Sequence, residues 1–194
     1  MIKLKDLLLE NDDIFIPRRM EDRDERMIKN YVKNGSKGDL RLNKVGLTKL
    51  PDILKDITVG GTFSCSDNNL TSLTGAPKTV GGNFGCYNNK LTSLAGAPSS
   101  VGENFNCNSN NLTSLEGAPS SVGGNFGCYG NNLTSLEGAP KSVGGNFDCS
   151  FNMLTSLEGA PSSVGGNFGC TDNPVRFTEE QVRAVCDVKG KVYV

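Results

Sequence analysis

The sequence predicts an α/β repeat solenoid of about seven parallel-strand coils, and three observations carry that prediction. A unit of 21 residues, typified by residues 80–100 (VGGNFGCYNNKLTSLAGAPSS), recurs along most of the chain. Within it, Phe63, Phe84, Phe105, Phe126, Phe147 and Phe168 form one column, and Cys65, Cys86, Cys107, Cys128, Cys149 and Cys170 form a second, two residues on. A third column, Asn68, Asn89, Asn110, Asn131, Asn152 and Asn173, follows three residues after the cysteines.

Each column has a physical role once one unit is stacked on the next. The alternation in Phe84-Gly85-Cys86 puts Phe84 and Cys86 on one face of a short strand and Gly85 on the other. Parallel strands stack about 4.8 Å apart, so each phenylalanine lies over the one before it. Leu91 and Leu94 supply the remaining inward residues, and Leu-Thr-Ser-Leu recurs in register. The asparagine turns the chain, with its amide bonding the backbone groups that the turn leaves open. Gly81-Gly82 and Gly96-Ala97-Pro98 carry the return path, where a helix is disfavoured. A fixed period of about 20–29 residues in which apolar positions flank an asparagine marks a leucine-rich-repeat solenoid, with a parallel β-helix as the alternative.

Residues 1–37 read as an N-terminal helical cap or leader, 38–173 as the solenoid, and 174–194 as a helix-strand C-terminal cap. Residues 1–10 have amphipathic helical spacing in Ile2, Leu4, Leu7 and Leu8, with Pro17 closing the extended stretch that follows. A second helix spans Met20 to Lys33, with Met27, Ile28, Tyr31 and Val32 on its apolar face and Asn34-Gly35 as its stop. It would cover the open end of the solenoid. Residues 38–58 form a degenerate first coil with Leu40, Leu42, Val45, Leu47 and Leu50 inward. The repeat is abandoned after Asn173. There Thr178 and Gln181 form a capping box, Phe177 and Val182 a hydrophobic staple, and a helix runs to about Cys186 before a final strand at Lys191–Val194.

A formal net charge of −1 argues against a nucleic-acid or membrane-surface binder. No apolar run approaches the roughly 20 residues that span a bilayer, and MIKLKDLLLE lacks the pattern of a secretory signal. Six of the seven cysteines fall on the inward column, where a line of side chains offers no tetrahedral zinc site and mismatches disulfide geometry. They are expected as reduced core thiols, with Cys186 a separate case, and a cytoplasmic setting follows. Histidine is absent, and no phosphate-loop or calcium-repeat motif occurs. Glu116, Glu137 and Glu158 form an outer acidic row, read as solvated. No catalytic residue, metal or cofactor is expected.

In Phe-x-Cys-x-x-Asn-x-Leu-Thr-Ser-Leu, residues 38–194 resemble the short bacterial leucine-rich repeats and look closest to uncharacterised repeat proteins of large tailed bacteriophages. Val80 precedes Phe84 by four positions where that family has three, so the Val-Gly-Gly geometry is open. The resemblance implies a phage protein that acts on a host factor in the cytoplasm, or alternatively a structural or packaged virion component. It also makes Leu8-Leu9-Glu10 a match to the Leu-x-Glu cleavage site of prohead leaders.

The columns that vary between copies face outward: residues 64, 85, 106, 127, 148 and 169; 66, 87, 108, 129, 150 and 171; and 67, 88, 109, 130, 151 and 172. The strand face is the usual binding surface of a solenoid. Tyr87, Tyr129, Asp148, Phe151, Asn108 and Asp67 are the candidate partner-binding residues there. The expectation is a non-enzymatic, monomeric protein-protein interaction module.

Overall fold

The computed structural model describes residues 22–194, and side chains from residue 26 on. The 1–10 helix and the Leu8-Leu9-Glu10 site therefore lie outside the described residues. Two parallel sheets run the length of the solenoid. The first has eight strands: Leu40–Arg41, Phe63–Ser64, Phe84–Gly85, Phe105–Asn106, Phe126–Gly127, Phe147–Asp148, Phe168–Gly169 and Val192–Tyr193. Its register is that of the repeat, Phe84 against Phe105 and Phe105 against Phe126. Phe63 to Phe168 are buried, and their ring centroids follow one another at 5.7, 5.0, 5.2, 5.6 and 5.1 Å. Offset rings at that spacing add to the burial energy of each side chain.

The second sheet corrects the sequence reading. Its seven strands are Thr58–Val59, Thr79–Val80, Ser100–Val101, Ser121–Val122, Ser142–Val143, Ser163–Val164 and Asp187–Val188. The stretch read as return path thus contains a strand, between its Gly-Ala-Pro and its glycine corner, and Val59 to Val164 form a further buried inward column beside Leu91 and Leu94. The four-residue spacing from Val80 to Phe84 is a built corner between the two sheets. There the Gly102 N–H donates to the Val80 carbonyl at 3.0 Å, and the Asn125 N–H donates to the Asn104 Oδ1 at 2.7 Å. A Cβ on Gly102 would collide with the Gly81 carbonyl oxygen, so this corner requires glycine.

The asparagine column stitches coil to coil. Asn110 Nδ2 donates to the carbonyls of Cys86 (3.1 Å), Cys107 (3.1 Å) and Asn108 (3.2 Å), and its Oδ1 accepts the Leu91 N–H at 3.1 Å. A buried amide with these partners satisfies four backbone groups of two coils at once.

The ends differ from the middle. Helix α1 (Asp22–Lys33) buries Ile28 and Tyr31, and the Tyr31 hydroxyl donates to the Ser36 carbonyl at 2.6 Å. The return leg of the first coil is a 3-10 turn, Asp52–Asp56, that buries Leu54. After Asn173 the repeat gives way to helix α2 (Glu179–Val185), whose capping box at Thr178 and Gln181 is formed and whose Phe177 and Val182 are buried. The chain does not leave the solenoid there: Asp187–Val188 and Val192–Tyr193 add a last rung to both sheets. Arg183 holds that rung, its guanidinium donating to the carbonyls of Val188 (2.7 Å) and Gly190 (3.0 Å).

Candidate functional site

The outward columns of the phenylalanine sheet form the candidate site, and they behave less uniformly than their spacing implies. In the strand and just after it, Ser64, Ser66 and Ser150 are buried, and Ser64 Oγ donates to Ser66 Oγ at 3.3 Å. The column at residues 67, 88, 109, 130, 151 and 172 is a turn and not part of the strand. Every member is left-handed, with φ from 51° to 65°. Asp67, Asn88 and Asp172 suit that backbone, as does Gly130.

Phe151 does not. At φ 54° a bulky side chain is strained by roughly 1–2 kcal/mol, and nothing in the fold demands it there, since every other coil has a small or polar residue. Its ring is half exposed, at 50%, and leans on the Tyr129 ring of the preceding coil with centroids 5.0 Å apart and planes tilted by 51°. Met153, two residues on, is 52% exposed. The structure therefore brings Tyr129 and Phe151 together and adds Met153, which the sequence reading missed.

The remaining candidates take other positions. Asp148 is half-buried in the strand of the Phe151 coil, and its Oδ1 accepts the Ser150 N–H at 3.0 Å. Asn108 is half-buried, and its Oδ1 accepts the Tyr129 N–H at 2.9 Å, so it shores up the tyrosine from the coil before. Tyr87 is half-buried two coils from Tyr129. Asp67 lies nearer the N-terminal end, where its Oδ1 accepts the Asn88 Nδ2 at 2.9 Å.

The thiols offer no second site. Burial pushes Cys65 up to about 12 and raises Cys86, Cys128 and Cys149 well above the usual thiol range, so none supplies a thiolate near neutral pH. Among the described residues no group of three or more Cys, Asp or Glu is placed to hold a metal ion. None of the described helices is long and apolar enough to cross a membrane. On the opposite side, Ser121, Ser142, Ser163, Asp187 and Lys189 line a shallow groove of about 430 Å³ over the valine sheet.

No protein-family model and no curated protein matches the chain. Among solved structures it is similar to the leucine-rich-repeat domain of a Shigella effector, with a TM-score of 0.65 and 23% identity. That match covers 96% of this chain and 83% of the other. The fold is a leucine-rich-repeat solenoid. At that identity the likeness carries the fold alone, and the site rests on the residues described above.

Proposed function

We propose that this leucine-rich-repeat protein is a non-enzymatic binding module that holds a partner protein on its strand face. The observation that carries this reading is Phe151, an exposed aromatic kept on a left-handed backbone that the other coils give to small or polar residues. Strain retained at an exposed residue points to a role outside the fold. Tyr129, Phe151, Asp148 and Met153 form the centre of the interface, and Tyr87, Asn108 and Asp67 extend it toward the N-terminal coils. A protein partner, and not nucleic acid, is supported by the net charge of −1. The similar domain of a Shigella effector supports the solenoid on which this reading is built. For the phage setting that the repeat unit resembles, the partner is a host factor met in the cytoplasm, where the seven unpaired thiols stay reduced.

Affinity purification from producing cells with the wild type and with a Tyr129→Ala/Phe151→Asn variant of equal thermal stability tests this. A stoichiometric protein held by the first and lost from the second is the expected result. Equal recovery by both moves the interface off this face.

A further inference from the structure

The surroundings of the aromatic pair define what it would bind. In-register pairing of Phe147 with Phe168 sets Phe151 beside Asp172 of the next coil. Asp148 lies three residues before Phe151, on the strand of the same coil. Two carboxylates thus belong to the coils around the Tyr129–Phe151 pair, Asp148 half-buried with its Oδ1 accepting the Ser150 N–H and Asp172 exposed one coil beyond Phe151, and neither is ion-paired among the described residues: the pairs there engage Asp39, Asp56, Glu179 and Asp187. Lys141, the cation nearest Asp148 along the chain, and Arg176, the one nearest Asp172, pair with neither.

Any partner broad enough to cover two half-exposed rings also takes water from these carboxylates. An apolar partner would leave them desolvated without a counter-charge, which costs more than the ring contact returns. A cation resolves both demands, because aromatic faces attract it and carboxylates pair with it. Among protein cations, the planar guanidinium can stack on a ring while its edge donates to a carboxylate, which the ammonium of lysine cannot do.

We infer that the Tyr129–Phe151 pair, with Asp148 and Asp172, receives an arginine side chain of the partner protein. This assignment rests on the strand-face reading above and adds the chemistry of its anchor. Met153 and, in the same column one coil on, Pro174 offer apolar contact for the residues beside that arginine.

A random dodecapeptide display library selected on the full chain tests the assignment, with depletion on the Tyr129→Ala/Phe151→Asn variant to isolate peptides that need the pair. The expected winners carry arginine beside an apolar residue. Replacing that arginine by citrulline, which keeps the shape and removes the charge, should weaken binding by about tenfold, and so should Asp148→Asn combined with Asp172→Asn. Pair-dependent peptides without arginine, or unaffected by citrulline and by the aspartate changes, would overturn the arginine assignment and leave the docking face standing. Enrichment of no pair-dependent peptide would overturn both.

Discussion

Two columns of this molecule run side by side with the same period and follow opposite rules. The inward cysteine column is the same residue in six successive coils and is buried throughout. The left-handed turn column changes at almost every coil, from Asp67 through Asn88, Ser109 and Gly130 to Phe151 and Asp172. In the first, each side chain's neighbours are its own copies, so a change at one coil is felt by two others. In the second only the backbone is constrained, and the side chain is free to serve something other than the fold. Phe151 uses that freedom at an energetic cost, which separates it from mere drift.

The largest expected effect lies in the cysteine column and is read by pH. Below about 8.5 the thiols are protonated both in the unfolded chain and in the folded protein. Above it the unfolded chain releases its protons, whereas burial keeps Cys65 protonated to about 12 and holds Cys86, Cys107, Cys128 and Cys149 up as well. The unfolded state is then favoured by about 1.4 kcal/mol per pH unit for each thiol. Those five together would exhaust a stability of about 5–15 kcal/mol within roughly two pH units. Circular dichroism should show cooperative alkaline unfolding under reducing conditions, with a shallower pH slope when Cys107 and Cys128 are both alanine. An unchanged slope would remove the column from the argument.

Phe105→Ala comes next, because it opens a cavity between two rings, and should cost about 3–5 kcal/mol by chemical denaturation. Asn110→Ala removes four hydrogen bonds and strands buried backbone groups of two coils, for an expected loss of about 2–4 kcal/mol in the same assay. In the turn column the sign reverses. Phe151→Asn places there the residue type that Asn88 already provides, relieving roughly 1–2 kcal/mol of strain against about 0.5–1.5 kcal/mol lost with the Tyr129 contact, and should stabilise the protein by about 0.5 kcal/mol, seen as a slightly raised Tm. Destabilisation instead would show that Phe151 serves packing. The smallest loss is that of Tyr129→Ala, about 0.5–1.5 kcal/mol from the ring contact with Phe151. A loss matching that of Phe105→Ala would erase the distinction between the two columns.

What could be read in the sequence follows from the same contrast. The Phe, Cys and Asn columns were legible because stacking repeats their surroundings, so chemistry at one copy holds for all. The capping box at Thr178 was legible because it is local. The valine strands were not: a single inward residue between Ser or Thr and Gly, as at Ser100-Val101-Gly102, shows no alternation from which a strand can be recognised. Of the last rung, the final strand at Val192–Tyr193 was legible, but its partner was not, where Asp187–Val188 replaces Ser-Val after a helix has broken the period. At the site, Tyr129 and Phe151 stood out as aromatics among small residues, yet their contact depends on a left-handed turn that spacing alone does not reveal. Met153 was hidden in a column otherwise occupied by Asn69, Lys90, Asn111, Asn132 and Pro174, where a loop residue is the plain reading.

Because every rung pairs in one register, the solenoid also works as a ruler. Each coil advances the structure by about 4.8 Å. The distance from helix α1 to the Tyr129–Phe151 pair is therefore set by how many copies lie between them and by no contact of either end. Excising one copy from the gene, for instance residues 80–100, would join Thr79 to Val101 in the same phase, keeping the Thr-Val step of Thr79-Val80, at the loss of Tyr87 from the outer part of the face. The patch would move about one rung toward the cap with its own geometry intact. Recombination between units of equal length thus re-spaces the binding surface in whole steps, fitting partners of different reach without redesigning either the cap or the aromatic pair.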